Sequence, residues 1–155
     1  MREDGTTRHE LVDREATEAL GGVIAARLAP GDVILLEGPL GTGKTTLVRG
    51  LVAALGGDPA EVCSPTYVLL ETYAVDRGAI RRLHHADLYR LRGHPAAPLD
   101  EVGLGEAVED AAAVTAIEWP EEWPWLAEGT TSTVRVLLEM AGEGRRAHVG
   151  WARQS

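Results

Sequence analysis

The spacing of apolar residues along the first third of the chain predicts two helices with a buried strand between them. Apolar residues recur at helical intervals over residues 13–28, where Asp13 is the predicted N-cap and a Pro-Gly pair ends the helix. A short apolar run at residues 33–37 is typical of a strand buried on both faces. Helical spacing returns over residues 44–55 and ends at a Gly-Gly pair.

The rest of the chain contains shorter apolar segments separated by turn residues. We predict a strand at residues 67–73, a hairpin partner at 80–87, a short helix within 95–110, a buried strand at 114–118, a loop at 119–129, and a closing hairpin of residues 133–139 and 147–151. This pattern predicts one α/β domain over residues 1–155 with a mixed, mostly parallel sheet. Residues 1–8 and 152–155 are expected to be flexible.

The composition is that of an ordinary globular protein. The 155 residues are 45% hydrophobic and 25% charged, which is enough apolar material for one core without a structural metal. Cys63 is the only cysteine, so no disulfide can form within the chain, and we interpret it as structural. No apolar stretch reaches the length of a signal peptide or of a membrane helix. These features predict a cytoplasmic protein without membrane contact.

The net charge of −9 weighs against direct, tight binding of DNA or RNA by this chain. A protein that binds nucleic acid through its phosphates normally carries a basic face. The densest group of basic residues here is Arg81, Arg82, Arg90 and Arg92. A solvated strand edge is the simpler interpretation of this group.

One segment carries specific chemistry. Residues 38–46 read GPLGTGKTT and match the phosphate-loop pattern G-x-x-x-x-G-K-[ST] at every fixed position. Its glycines let backbone N–H groups approach phosphate oxygens, and the helix that follows points its positive end at them. Lys44 would reach the β- and γ-phosphates of ATP, and the Thr45 hydroxyl would bind Mg²⁺, which prefers oxygen ligands. The chain has fourteen arginines but only this one lysine, at the position where a compact ammonium is needed.

Phosphate loops usually need a second, acidic residue to complete the magnesium site. Glu118 ends the buried strand at residues 114–118, and Asp87 ends the predicted strand at residues 80–87. Parallel strands direct their carboxyl ends toward the edge of the sheet where ligands bind. Glu118 is the first candidate, Asp87 is its rival, and both can serve together.

Three further segments are candidates on weaker grounds. The motif Ser64-Pro65-Thr66-Tyr67 follows the second helix, where segments that sense the γ-phosphate commonly lie, although Ser-Pro is also an ordinary turn. Trp119 can stack on a base, sense the nucleotide state or anchor a loop. His84 and His85 resemble a metal pair only superficially, because adjacent residues on a strand point to opposite faces.

Together these segments resemble one family, the bacterial ATPase TsaE (also called YjeE), which takes part in making threonylcarbamoyladenosine (t6A) on tRNA. The motifs that carry the resemblance are GPLGTGKTT at residues 38–46, SPTY at 64–67, HADLYRL at 85–91 and IEWP at 117–120. The resemblance covers nearly the whole chain. It implies a P-loop NTPase-like fold with three αβα layers.

The resemblance also implies roles for individual residues. The catalytic residues would be Lys44, Asp87, Glu118 and Thr66, with Thr66 in a switch-like segment. Mg²⁺ would be held by Thr45 and Glu118, and Asp87 would help there or orient the attacking water. The nucleotide-binding residues would be Gly38, Gly41, Thr42, Gly43, Lys44, Thr45, Thr46 and Trp119, with Arg14 and Arg145 as candidates near the adenine. The partners implied are the TsaD and TsaB proteins, with tRNA reached only through their complex.

Two other functions fit a phosphate loop. A kinase of a small metabolite would need a lid with arginines, for which Arg90 and Arg92 are available, but the short chain offers no obvious acceptor site. A non-catalytic module whose ATP-bound shape docks on a partner differs from an ATPase only in that hydrolysis is absent. A GTPase is disfavoured, because the base-reading motif N-K-x-D would require a second lysine.

Overall fold

The computed structural model describes residues 2–63, 69–128 and 132–153. Its strands are β1 (Arg2–Leu11), β2 (Val33–Glu37), β3 (Leu70–Arg77), β4 (Ile80–Asp87), β5 (Ala113–Glu118), β6 (Ser132–Ala141) and β7 (Gly144–Arg153). Its α-helices are α1 (Arg14–Ala25), α2 (Lys44–Ala54) and α3 (Leu104–Glu109). Short 3₁₀ turns occur at Pro59–Glu61, Tyr89–Leu91, Leu99–Val102 and Pro124–Ala127. None of the helices in the described ranges combines the length and the apolar character that a membrane crossing requires.

Within the described residues, seven strands form one mixed sheet in the order β1-β7-β6-β2-β5-β4-β3. Strand β2 pairs in parallel with β5 and β6, and β4 pairs in parallel with β5. The remaining pairs, β1 with β7, β6 with β7 and β3 with β4, are antiparallel. The mixed sheet is therefore confirmed, but parallel pairing does not predominate and is confined to the four central strands. Two of the antiparallel pairs, β3 with β4 and β6 with β7, are hairpins, in which consecutive strands are joined by a short turn.

The sheet carries helices on both faces. Alternate residues of β2 point to opposite sides, so this strand contributes to the core on each face. Ile34 and Leu36 pack into a core with α1 and α2. Val33 and Leu35 pack on the other side, in a core that includes residues of α3. All four side chains are at most 2% exposed, so β2 is buried on both faces as predicted. The result is the predicted three-layer αβα arrangement.

Most element boundaries follow the sequence pattern. Asp13 caps α1 as predicted, because its Oδ1 accepts a hydrogen bond from the Ala16 backbone N–H at 2.8 Å. The strand predicted at residues 67–73 corresponds to β3, which begins at Leu70 and continues to Arg77. Residues 64–68, which include Thr66 and the rest of the SPTY motif, lie outside the described ranges.

Strand β1 is the main departure from the sequence pattern. Residues 1–8 are expected to be flexible from their polar composition, yet Arg2–Leu11 pairs along its length with β7. Residues 5–8 are exposed, so no apolar alternation announces the strand. Backbone hydrogen bonds hold it at the edge of the sheet, and these depend little on side-chain type. At the other end of the chain, residues 152 and 153 belong to β7 rather than to a flexible tail.

Two glycines let α1 and α2 approach each other closely. A Cβ on Gly21 would lie 2.7 Å from the Leu47 carbonyl oxygen, and a Cβ on Gly50 would lie 2.1 Å from the Glu18 carbonyl oxygen. Neither atom could be accommodated without moving a helix backbone, because protein interiors are close-packed. Since α2 begins at Lys44, within the phosphate-loop motif, this contact also helps to place that loop.

Gly21→Ala is expected to lower the free energy of unfolding by about 1–3 kcal/mol, because the added methyl group overpacks the helix contact. Gly22→Ala is the matched control, since a Cβ there meets only the Ala54 Cβ, at 3.9 Å. Without a clash, alanine in a helix is more stable than glycine by about 0.5–1 kcal/mol. Urea unfolding of both variants measures the difference. Similar effects in the two variants would contradict the close packing.

A polar cluster on the α3 side of the sheet ties β4 to the turn after α3. His84 Nε2 lies 2.9 Å from Asp110 Oδ2, and His84 Nδ1 lies 2.8 Å from Thr72 Oγ1. Arg82 donates to both Asp110 carboxylate oxygens, at 2.7 and 3.0 Å, and the Ala112 N–H donates to Oδ1 at 3.0 Å. The Arg82 guanidinium, helped by the Ala112 N–H, holds the pKa of Asp110 well below its usual range.

Asp110→Asn is expected to destabilise the protein at neutral pH and to have little effect in acid. A carboxyl group whose pKa is lowered by folding stabilises the fold above its unfolded pKa of about 4, and that contribution is lost as the pH falls further. The difference in melting temperature between wild type and variant should therefore begin to shrink below about pH 5 and should go on shrinking below about pH 3, because the folded-state pKa of Asp110 lies well below its usual range. Glu109→Gln, which removes a negative charge one residue earlier, is the control. A difference between Asp110→Asn and wild type that does not change with pH would contradict this role of the carboxylate.

Candidate functional site

The phosphate-loop motif joins the end of β2 to the start of α2. Gly38 has φ 133°, and a Cβ there would lie 2.1 Å from the Leu138 carbonyl oxygen, so the position requires glycine. Gly41 and Gly43 also have positive φ, at 78° and 102°, and Gly43 is the N-cap residue of α2. The unpaired backbone N–H groups at the start of α2 and the helix dipole both favour an anion beside this loop.

Lys44 is the first residue of α2 and is only 5% exposed. Its Nζ donates to the carbonyl oxygens of Gly38 and Pro39, the latter at 3.0 Å. It also lies 4.0 Å from the centre of the Trp119 ring, within the range of a cation–π contact. Burial lowers the pKa of this ammonium, and the nearby carboxylates oppose that shift. The cation is thus held inside the loop by weak neutral acceptors, which a phosphate group can replace.

Asp87 and Glu118 end neighbouring parallel strands in the same register. The pairing of β4 with β5 sets Asp87 directly beside Glu118. The Thr45 hydroxyl donates to Glu118 Oε2 at 3.2 Å, which links α2 to β5. Asp87 Oδ1 accepts a hydrogen bond from the Tyr89 backbone N–H at 3.0 Å, while burial raises the pKa of Asp87. Thr45 and the two carboxylates therefore lie at the same edge of the sheet, next to the loop.

Glu118 has a second partner, His85, which sequence reasoning missed. The His85 side chain is fully buried, with Nε2 2.6 Å from Glu118 Oε2 and Nδ1 3.3 Å from the Tyr73 hydroxyl oxygen. Residues two apart on a strand point the same way, so His85 shares a face of β4 with Asp87. That alternation is the signal that could have found His85. The expectation that His84 and His85 point to opposite faces is confirmed, since they contact different residues.

Trp119 and Tyr89 form an aromatic rim on the site. Trp119 has φ 61°, the only positive φ outside glycine in the described ranges. Its backbone N–H donates to the Leu36 carbonyl oxygen at 3.1 Å. Its ring meets the Tyr89 ring edge-on, with centroids 5.0 Å apart. The Arg92 guanidinium carbon lies 3.5 Å from the centre of the Tyr89 ring. Trp119 is half-buried, so it anchors the loop after β5 and also presents a surface to the cleft.

A cleft of about 530 Å³ opens over the phosphate loop. Its lining residues are Leu40, Gly41, Thr42, Gly43, Lys44, Thr45, Thr46, Asp87, Tyr89, Arg90, Glu118 and Trp119. Lys44, Asp87 and the adjacent pair Glu118 and Trp119, which come from three distant parts of the sequence, thus line one cavity.

A second cavity, of about 310 Å³, lies on the other side of the same loop and is lined in part by Arg14, Thr17 and Arg145. Arg145 donates through Nε and Nη2 to the Gly41 carbonyl oxygen, at 3.2 and 3.1 Å. The two arginines proposed from the sequence therefore share one cavity next to the phosphate loop.

The comparison with known families agrees with this geometry. The family described as "Threonylcarbamoyl adenosine biosynthesis protein TsaE" matches residues 11–147 of this chain. The chain belongs to the TsaE family. The family predicted from the four motifs is thereby confirmed, and the matched range contains the phosphate loop, both strand-end acids and Arg145.

Individual TsaE relatives match over most of the chain. The tRNA threonylcarbamoyladenosine biosynthesis protein TsaE of Nostoc sp. is 39% identical over 147 residues, which cover 94% of this chain and 86% of the relative. The protein of the same name from Rickettsia felis is 35% identical over 136 residues, or 88% of this chain and 74% of the relative. The crystal structure of Bacillus subtilis YdiB superposes with a TM-score of 0.71 and 25% identity, covering 97% of this chain and 87% of that one.

Proposed function

We propose that this TsaE protein is an ATPase that supports t6A modification of tRNA, and that it hydrolyses ATP with Mg²⁺. The observation that carries this proposal is the meeting of a buried lysine, a hydroxyl and two carboxylates around one phosphate-loop cleft. This set supplies a cation for phosphate oxygens and hard oxygen ligands for a metal in the same place. Family membership supports the part of the proposal that concerns t6A.

The phosphates of ATP would lie on the loop itself. Backbone N–H groups of Gly38, Gly41 and Gly43 can approach an anion because these residues carry no side chain. Lys44 would exchange its carbonyl partners for the β- and γ-phosphates, a stronger, charge-assisted contact. The remaining loop contacts are assigned to Thr42, Thr45 and Thr46.

The residues at the edge of the sheet fit Mg²⁺. This ion demands oxygen ligands and is usually held by one or two carboxylates together with substrate phosphates. Thr45, Glu118 and Asp87 offer a hydroxyl and two carboxylates, and none of the described residues that line the cleft carries sulfur. When bound there, Mg²⁺ would neutralise charge on the phosphates.

The nucleoside end of ATP would occupy the second cavity. Arg14 and Arg145 line it, and a guanidinium can stack on a base through its planar face. Trp119 lies on the opposite side, in the main cleft with Lys44. We therefore assign Trp119 to the phosphate side of the nucleotide and the two arginines to the adenine side.

Hydrolysis would proceed by in-line attack of water on the γ-phosphate, with the departing oxygen on the β-phosphate. Lys44 and the loop N–H groups would stabilise the charge on the transferred oxygens, since positioning and electrostatics supply most of this catalysis. Asp87 would orient the attacking water, because it lies beside Glu118 in the lining of the cleft. Thr66 is retained as the switch residue of the SPTY segment on sequence grounds. The described residues that line the cleft include no histidine or lysine placed as a general base apart from Lys44, which is assigned to the phosphates, so slow turnover alone is expected.

The proposed partners are the TsaD and TsaB proteins, with tRNA contacted only through their complex. The net charge of −9 supports this indirect route to tRNA, because a direct contact would need a basic face. The same charge disfavours DNA as a partner. The protein would act in the cytoplasm, where tRNA is modified, without membrane contact.

Phosphate release from ATP and Mg²⁺ tests the proposal, first with this protein alone and then with TsaD, TsaB and tRNA. We expect slow release alone and a clear increase in the complex. Unchanged release in the complex would contradict the coupling, and absence of release in both would favour a non-catalytic ATP-gated module. Transfer of phosphate to an added metabolite would favour the kinase. Release in the complex formed with a Lys44→Ala variant gives the background rate.

A further inference from the structure

His85 is fully buried, although Asp87, two residues later on the same strand, lines the cleft. It lies on β4 with a fully buried side chain, and both ring nitrogens have a partner. Nε2 lies 2.6 Å from Glu118 Oε2, and Nδ1 lies 3.3 Å from the Tyr73 hydroxyl oxygen. The proposed function assigns no role to His85 or Tyr73. Yet Tyr73 contacts His85, and His85 contacts Glu118, which is a proposed metal ligand.

The partners of the ring determine which nitrogen carries the proton. An ionised carboxylate can only accept hydrogen bonds, so Nε2 must donate to Glu118. Nδ1 of a neutral ring then accepts, and the Tyr73 hydroxyl donates to it. Burial raises the pKa of Tyr73 to about 12, so this hydroxyl keeps its proton. Tyr73, His85 and Glu118 thus form a chain of hydrogen bonds that all run in one direction.

Both hydrogen bonds that the Glu118 carboxylate accepts from the described residues reach the same oxygen. Oε2 receives His85 Nε2–H and the Thr45 hydroxyl, from β4 and α2 respectively. Two donors on one oxygen orient the carboxylate plane and leave Oε1 as the oxygen that can still take a ligand. Without His85, the carboxylate could rotate about its last side-chain bond, which is a soft torsion.

We infer that His85 is a positioning residue, which, oriented by the Tyr73 hydroxyl, holds the Glu118 carboxylate in the orientation needed to bind Mg²⁺. This inference rests on the proposed function, since it assigns a ligand role to Glu118. It adds β3 to the site through Tyr73, and it adds His85 as a second residue of β4 beside Asp87. Residues that orient metal ligands in this way typically change metal affinity or activity by about 10- to 100-fold when they are replaced.

The first test needs no nucleotide. In the free protein, nitrogen NMR of the histidine rings should show a protonated Nε2 on His85, with a signal that changes in the Glu118→Gln variant. Tyr73→Phe, which removes only the hydroxyl, should shift the Nδ1 signal of the same ring. An unprotonated Nε2, or a His85 signal that is insensitive to Glu118→Gln, would overturn the inference. The His84 ring, which contacts Asp110 instead, should be unaffected and serves as the internal reference.

The second test measures how much Mg²⁺ strengthens ADP binding, as the ratio of Kd values without and with the ion. We expect His85→Leu to lower this ratio by about 10- to 100-fold while leaving the Mg²⁺-free Kd nearly unchanged. His85→Gln keeps an N–H donor of similar reach and should restore most of the ratio. His84→Leu, a substitution of the adjacent histidine on the opposite face of β4, should leave the ratio at the wild-type value.

The outcomes separate this inference from the proposed function. If wild-type protein binds ADP equally with and without Mg²⁺, the proposed metal site is wrong and the positioning role falls with it. If the wild type shows the Mg²⁺ effect and His85→Leu retains it, only the positioning role is overturned. Thermal unfolding shows whether His85→Leu is folded, and if it is not, the comparison rests on His85→Gln and Tyr73→Phe. In that case, a ratio for Tyr73→Phe equal to wild type, together with an unshifted Nδ1 signal, would contradict the inference.

Discussion

Lys44→Ala is expected to lower the affinity for ATP by about 100-fold or more, and to remove measurable hydrolysis. Hydrogen bonds from a charged donor contribute about 1.5–3 kcal/mol each, and a loss of about 2.8 kcal/mol corresponds to 100-fold in Kd. Lys44 is the only lysine in the chain, so no neighbouring ammonium can replace it. Isothermal titration calorimetry with ATP and Mg²⁺ measures the change.

The fold should tolerate this substitution. In the free protein, the Lys44 ammonium carries the cost of burial, which lowers its pKa, and its partners are neutral carbonyl groups. Replacing Lys44 removes its hydrogen bonds to the carbonyl groups, but it also removes the cost of burying a charge. Because these two effects oppose each other, the melting temperature should change little. Arg146→Ala is the charge control, since it removes a cation that pairs with Glu10 on the sheet surface. Wild-type affinity in Lys44→Ala would refute the phosphate-loop assignment.

Glu118→Gln is expected to reduce turnover by about 100-fold or more while leaving Mg²⁺-free nucleotide binding intact. The substitution preserves the size of the side chain but removes the negative charge that a magnesium ligand supplies. Metal-ion catalysis contributes several kcal/mol, and each 1.36 kcal/mol is a factor of ten in rate. Binding without the metal should even improve slightly, because a carboxylate no longer repels the phosphates. Single-turnover phosphate release and titrations with and without EDTA separate the two effects.

Glu121→Gln is the matched control for this variant. Glu121 also interacts electrostatically with Lys44, and burial raises its pKa, but it does not line the cleft. Its replacement removes the same charge three residues later and should leave turnover close to wild type. Equal losses in the two variants would mean that Glu118 acts through the general field of the site and not as a ligand.

The phosphate loop and its flanking elements could be predicted because their signals are local. The glycines and Lys44 are contiguous, and the apolar run of β2 and the helical spacing of α2 lie directly beside them. Glu118 and Asp87 could also be predicted, since each ends a predicted strand and parallel strands place their ends together. These inferences needed only the period of the pattern and one rule of sheet geometry.

His85 and Tyr73 could not be assigned in this way. Their contact with Glu118 depends on the order β5-β4-β3 and on the register between the strands, which no short segment encodes. The same holds for Arg145, whose two hydrogen bonds to Gly41 join a residue of β7 to the loop after β2. Arg14 and Arg145 could be named as candidates, but their common cavity follows from the packing of α1 and β7 around the loop.

The apolar pattern of the chain was sufficient for an α/β fold with a mixed sheet, because burial on one or both faces imposes a period that is visible in the residues. The three-layer arrangement was expected from the resemblance to a family. The phosphate loop was equally visible, because glycine, lysine and a hydroxyl are each required by its geometry. Only the tertiary structure determined the features that depend on contacts between residues distant in the sequence. Strand β1 is held by backbone hydrogen bonds to β7, which do not depend on its side chains, and the orientation of Glu118 comes from a histidine on another strand.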